Sequence, residues 1–134
     1  MLLPDAASEV QVVEVVRISG RPAYPYDAPV VGDVVALWDG PLLLDALGLI
    51  GAVPGGESYR CFIPGWGIRA HGATEALFDV AFCFQCHGAL VRGPAVPSGL
   101  RGMQSFDATS SPAVNLLNRF RACLPAATPH AGDE

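Results

Sequence analysis

Cys83-Phe84-Gln85-Cys86-His87 is the segment whose residue types and spacing could do chemistry. A C-x-x-C-H pentapeptide is the attachment signature of c-type haem, and C-x-x-C alone suggests a redox dithiol or part of a zinc site. Haem would need a distal ligand, for which Met103 is the candidate. Zinc takes nitrogen and sulfur donors in a tetrahedron. Cys61, Cys83 and Cys86 with His87 or His71 would supply such a set, and the same thiols would serve thiol–disulfide exchange. A second C-x-x-C, the usual companion in a zinc site, is missing.

The element expected to carry the motif opposes these chemistries. Leu77 to Val91 is rich in aromatic and β-branched residues and reads as one long strand. In an extended strand Cys83 and Cys86 point to opposite faces, with Cα atoms about 10 Å apart. A disulfide wants roughly 4.4 to 6.8 Å, so neither a disulfide nor one metal joins them without a bend. Alternation places Phe78, Val80, Phe82, Phe84 and Cys86 on a core face, where Cys86 is a small, inert hydrophobe. Asp79, Ala81, Cys83, Gln85 and His87 form the opposite, polar row, with Cys61 or Arg60 as cross-strand neighbours. Cys83 should therefore react with a thiol reagent before Cys86.

Around this strand the remaining elements give an α+β order. Val10 to Ile18 is dense in β-branched residues and is expected as a strand, preceded by a short helical segment at Asp5 to Glu9. Gly20 to Pro29 holds three prolines and must be loop. A strand follows at Val30 to Leu37. Asp39-Gly40-Pro41 supplies a cap and an early proline for a helix at 41–50. Tyr59 to Ile63 and Ile68 to His71 read as a strand broken at Pro64-Gly65-Trp66-Gly67. Gly93 to Gly102 is a Gly/Pro loop. Ser111-Pro112 opens a helix over 111–124 that shows Val114, Leu117, Phe120 and Leu124 on one face. The expected fold is a single α+β domain over 1–134. Its mainly antiparallel sheet has about four strands, with two helices on one face and flexible ends at 1–8 and 126–134.

Composition bounds the function. At 134 residues, 51% hydrophobic and 16% charged, the chain can bury a core without metal or disulfides. All eight basic residues are scattered Arg and the net charge is -5, which disfavours nucleic acid as a partner. No apolar run reaches the roughly 20 residues of a membrane span. The first residues lack a basic segment followed by an apolar one, so no secretory signal is read and the cytoplasm is the expected compartment. There, the four cysteines are expected to be reduced rather than paired. Nucleotide-binding glycine spacings and a G-x-S-x-G elbow are absent.

Three segments, Ala28-Pro29-Val30-Val31-Gly32, Cys61-Phe62-Ile63-Pro64-Gly65-Trp66-Gly67-Ile68 and Asp79-Val80-Ala81-Phe82-Cys83-Phe84-Gln85-Cys86, resemble a set of small bacterial proteins. In that set a P-V-x-G strand, a C-F-x-P-x-H-x-I strand and a D-x-x-I-C-F-x-C strand recur in this order. The resemblance spans about residues 10–124. It implies the α+β order and the grouping of Cys61, Cys83 and Cys86, and no activity. Trp66 stands here where the set tends to have His, which puts a ligand or base role at that position in doubt.

The expected function is a non-enzymatic protein-interaction module, because no convergent acid, base and nucleophile appear and the apolar content suits a protein partner or self-association. Trp66, Asp79 and Gln85 are the candidates for the interaction surface. The alternative is a metal-binding (zinc) or thiol-redox protein using Cys61, Cys83 and Cys86 with His87.

Overall fold

The computed structural model describes residues 2–18, 30, 32–57, 62 and 64–124. Cys61, most of the expected strand Tyr59–Ile63, the proline-rich loop and the tail 126–134 lie outside the described residues. A 3-10 turn at Asp5–Glu9 leads into β1 (Val12–Arg17), followed by β2 (Asp33–Trp38), α1 (Gly40–Ala52), β3 (Trp66–His71), β4 (Ala76–Cys83), β5 (Gly88–Arg92), β6 (Gly102–Ser105) and α2 (Ser111–Arg121). The strands form one sheet in the order β2-β1-β3-β4-β5-β6, and every neighbouring pair is antiparallel. The fold is thus α+β, with six strands rather than about four.

Two differences account for the larger count. The expected continuous strand Leu77 to Val91 is a hairpin, β4 and β5, turned at residues 84–87. The other addition is β6, which begins at the last residue of the expected Gly/Pro loop and pairs with β5. In β3, Trp66 and Gly67 are strand residues rather than a break: they pair with Phe82 and Ala81.

Alternation along these strands divides the apolar side chains into two clusters. Val13, Val15, Trp66, Ile68, Phe78, Val80 and Phe82 belong to the first, with Leu43, Ala46 and Ile50 of α1 and Ala113, Leu116 and Phe120 of α2. Leu2 joins the same cluster. Val16, Ile18, Val30, Ala81 and Leu90, with Phe62 against them, form the second, from the alternate positions of the same strands. β4 is therefore buried on both faces from Leu77 to Cys83, which is why its sequence is almost continuously apolar.

The helices differ from expectation in detail. In α1, Gly40 has φ 55, and Asp39 makes no side-chain capping bond. In α2 the capping residue is Ser110, whose Oγ accepts from Ala113 N–H at 3.4 Å. The buried face of α2 is Ala113, Leu116 and Phe120, one residue round from the expected stripe, and Val114 is exposed. Val34, Leu37, Leu42 and Leu44 on β2 and α1 are also exposed.

A row of charge crosses four strands on the second-cluster face. Register places Glu14 opposite Arg69, Arg69 opposite Asp79, and Asp79 opposite Arg92, so the signs alternate. Glu14 Oε1 lies 2.8 Å from His71 Nε2 and accepts from Arg69 Nη1 at 3.5 Å. These partners, His71 first, hold its carboxyl below the usual range against the effect of burial. Asp79 is the opposite case. Burial pushes its carboxyl up, and Arg92, with its Nη1 4.0 Å from Asp79 Oδ2, offsets only part of this. Asp79 Oδ1 is buried and accepts no hydrogen bond among the described residues.

The two carboxyls thus carry opposite pH signs. Glu14, with a lowered folded pKa, stabilises the fold above its unfolded value, and that contribution disappears as pH falls through the folded one. Asp79, with a raised folded pKa, contributes its stabilisation fully below about pH 4 and loses it as pH rises through the folded value. In urea titrations, wild type is expected to gain on Asp79→Asn as pH falls from neutral, and to lose on Glu14→Gln. The reverse slope for Asp79 would show that Arg92 outweighs burial.

Candidate functional site

β4 ends at Cys83, the chain turns through Phe84, Gln85, Cys86 and His87, and β5 leaves from Gly88. The turn lacks glycine, so His87 takes the left-handed conformation, φ 56, that closes it. This bend brings Cys83 and Cys86 to a Cα separation of 5.2 Å, and they are joined by a disulfide. Strand alternation therefore fails here. Cys86 is not an isolated thiol on an aromatic face, and the expected ranking of Cys83 over Cys86 does not apply to the bonded pair. The expectation of reduced cysteines is likewise corrected for these two. Cys86 N–H donates to Cys83 Sγ at 3.2 Å. Both cysteines are buried, at 2% and 3% exposure.

The ring closed by this bond is so short that the chain-entropy relation gives only about 2 kcal/mol of stabilisation, against about 3 for a 15-residue loop. Its effect is local, on the shape of the turn.

Hydrogen bonds tie the turn to the start of α2. Phe106 N–H donates to His87 O at 3.0 Å, and Ala108 N–H donates to His87 Nδ1 at 3.1 Å. Acceptance at Nδ1 leaves the ring proton on Nε2. Asp107 Oδ1 accepts from Thr109 Oγ1 at 2.6 Å and from Thr109 N–H at 2.9 Å, a turn that delivers the chain to the Ser110 cap. Those two bonds hold the Asp107 carboxyl below the usual range.

Between this turn, the ends of β1 and β3 and the last turns of α2 lies a cleft of about 410 Å³. Ile18, Pro64, Trp66, Phe82, Phe84 and Leu117 give it apolar walls, and Arg17, Gln85, His87, Thr109 and Arg121 give it polar groups. Cys83 also lines it. Cross-strand pairing sets Arg17 opposite Trp66, and the guanidinium carbon sits 4.8 Å from the indole centroid. That stacking holds the cation over an aromatic face. Behind the cleft, Trp66 and Trp38 stack on Phe120 at 5.2 and 5.5 Å, and Phe84 meets Phe82 and Phe106 at 5.8 and 5.6 Å. The walls are therefore packed side chains rather than loose ones.

Of the residues singled out from sequence, Trp66, Cys83, Gln85 and His87 line this cleft, with Cys86 bonded behind it. Asp79 belongs to the charged row and does not line it. Cys61 lies outside the described residues. Among the described residues there is no group of three or more His, Cys, Asp or Glu able to hold a metal. Cys123 is a free thiol, half-buried, whose Sγ donates to Arg119 O at 3.4 Å and whose pKa is pushed up by burial. Sequence reasoning missed Arg17, Thr109, Leu117 and Arg121. The Leu117/Arg121 spacing of one helical turn was a usable signal, whereas the Arg17–Trp66 pairing is a matter of tertiary register. No helix among the described residues is long and apolar enough to cross a membrane.

Comparison with protein-family models, with curated proteins and with solved structures found no match.

Proposed function

We propose that the protein is a non-enzymatic interaction module whose cleft takes up an apolar side chain and an adjacent carboxylate from a partner protein. The observation that carries this reading is the juxtaposition of aromatic walls with Arg17 and Arg121 in a chain of net charge -5. Two cations gathered at one cleft of an acidic protein favour an anionic group there, and the apolar walls reward a side chain that leaves water. Binding rather than turnover is supported by the groups themselves. The Cys83 sulfur is bonded to Cys86, and the His87 Nδ1 lone pair is occupied by Ala108 N–H.

Selection from a random displayed-peptide library against the full chain tests the reading. The enriched sequences are expected to place an aromatic or large aliphatic residue within two positions of Asp or Glu. A synthetic peptide of that sequence is expected to lose at least tenfold in affinity, about 1.4 kcal/mol, with Arg17→Glu or Leu117→Arg. Leu44→Ser, on the exposed side of α1, is expected to leave it unchanged. Enrichment without acidic residues, or affinity insensitive to the cleft variants, would contradict the assignment.

A further inference from the structure

The residues that form the disulfide turn also form one side of the cleft. Cys83, Phe84, Gln85 and His87 line it, and the Cys83–Cys86 bond closes the turn that presents them. His87 in turn holds Phe106 and Ala108 through hydrogen bonds at 3.0 and 3.1 Å, and Thr109 of the same segment is on the cleft wall. Breaking the bond frees the turn to relax at the point where the cleft is built, while most of the sheet register and most of the α2 packing are made by other residues.

We propose that Cys83–Cys86 is a reversible thiol–disulfide pair that sets the affinity of the cleft, so that the module binds its partner differently in its oxidised and reduced forms. This rests on the reading of the cleft as a recognition site. The co-reactant is a dithiol, or two equivalents of a monothiol. One of its thiolates attacks Cys83 Sγ, and Cys86 leaves as a thiolate that takes up a proton. A second reductant thiolate then attacks the reductant sulfur of the mixed disulfide and releases Cys83. The protein gains two electrons and two protons, and the reductant becomes a disulfide. In the reverse direction Cys83, whose Sγ accepts Cys86 N–H at 3.2 Å, is the better-placed thiolate. Burial of both sulfurs makes the exchange slow, since the turn must open for a reagent to reach them.

The experiment compares the full chain as purified without reductant with the same chain after dithiothreitol. Its probe is 3-phenylpropionate, an aromatic ring carrying a carboxylate. Mass spectrometry of the untreated chain is expected to find Cys83 and Cys86 joined, two hydrogens lighter than the reduced chain. On reduction, amide shifts are expected to concentrate at 83–88 and 106–109 with the circular dichroism unchanged, and probe affinity is expected to change at least threefold. A Cys83→Ser/Cys86→Ser double variant should show the reduced affinity with or without dithiothreitol. Free thiols at both positions in the untreated chain, equal affinity in the two forms, loss of the whole fold on reduction, or stoichiometric zinc held by the reduced pair would each overturn the proposal. If neither form binds the probe, the recognition reading fails. The redox coupling is then judged on the amide shifts alone, which support it if confined to the turn and 106–109 and overturn it if absent there.

Discussion

Phe120→Ala is expected to lower the stability of the fold by about 3–5 kcal/mol. Phe120 is fully buried and is the one α2 side chain in ring contact with residues of β2, β3, β4 and the disulfide turn. It stacks with Trp38 at 5.5 Å and Trp66 at 5.2 Å, and meets Phe82 at 5.6 Å and Phe84 at 6.2 Å. Aromatic pairs add specific geometry to the transfer term, and a void among four rings held by three strands and a turn has little room to collapse. A domain whose whole stability is about 5–15 kcal/mol would lose a large share of it. The measurement is a urea titration followed by circular dichroism, with Val114→Ala on the exposed side of the same helix as reference, expected within about 0.5 kcal/mol of wild type. Equal midpoints for the two variants would mean that α2 is not anchored through Phe120.

Gly93→Ala is expected to cost about 3 kcal/mol, from strain and overpacking together. Gly93 follows β5 with φ +133, a conformation that side chains rarely adopt. A Cβ there would also stand 2.5 Å from Phe78 Cα and 2.7 Å from Leu77 O, which are backbone atoms of β4 with no freedom to move aside. The close approach is held by Ala95 N–H donating to Leu77 O at 3.0 Å, so the chain leaving β5 lies against β4. Gly55→Ala, where nothing lies within 4 Å and no positive φ is imposed, is expected to be neutral or slightly stabilising. Thermal melts of the two variants side by side make the comparison. A Gly93→Ala melt matching that of Gly55→Ala would contradict the packing of this segment.

The parts of the fold that were legible in sequence are those written in local signals. Prolines beside helix starts located α1 and α2, and β-branched density located β1 and β2 to within a few residues. The hairpin at 84–87 was hidden because Phe82, Phe84 and Cys86 continue the alternation of β4, and the turn holds no glycine, proline, asparagine or aspartate to mark it. Its left-handed residue is His87, a position where sequence would have suggested glycine. The same concealed turn decided the chemistry: with a strand assumed, Cys83 and Cys86 were held apart, and with the turn present they bond. β6 was missed because a strand of four residues that begins with glycine carries little pattern of its own and exists by pairing with β5. On α2, Phe120 fits both candidate stripes, and only the packing against Trp38 and Trp66 chose Ala113 and Leu116 over Val114 and Leu117. The cleft was half legible. Four of its lining residues sit in one suspicious pentapeptide, whereas Arg17 and Trp66, 49 positions apart in the chain, meet because β1 pairs with β3 in one particular register.

The most direct test of the recognition site is an amide-resolved titration of the oxidised full chain with 3-phenylpropionate, with the uncharged 3-phenylpropanamide as control. Saturable shifts are expected, centred on Gly65, Trp66, Gln85, His87, Thr109 and Arg121, at least tenfold weaker with the amide because the carboxylate is then missing opposite Arg17 and Arg121. Shifts centred instead on the exposed apolar side chains of β2 and α1, equal affinity for the two compounds, or no saturable shift at all would contradict it.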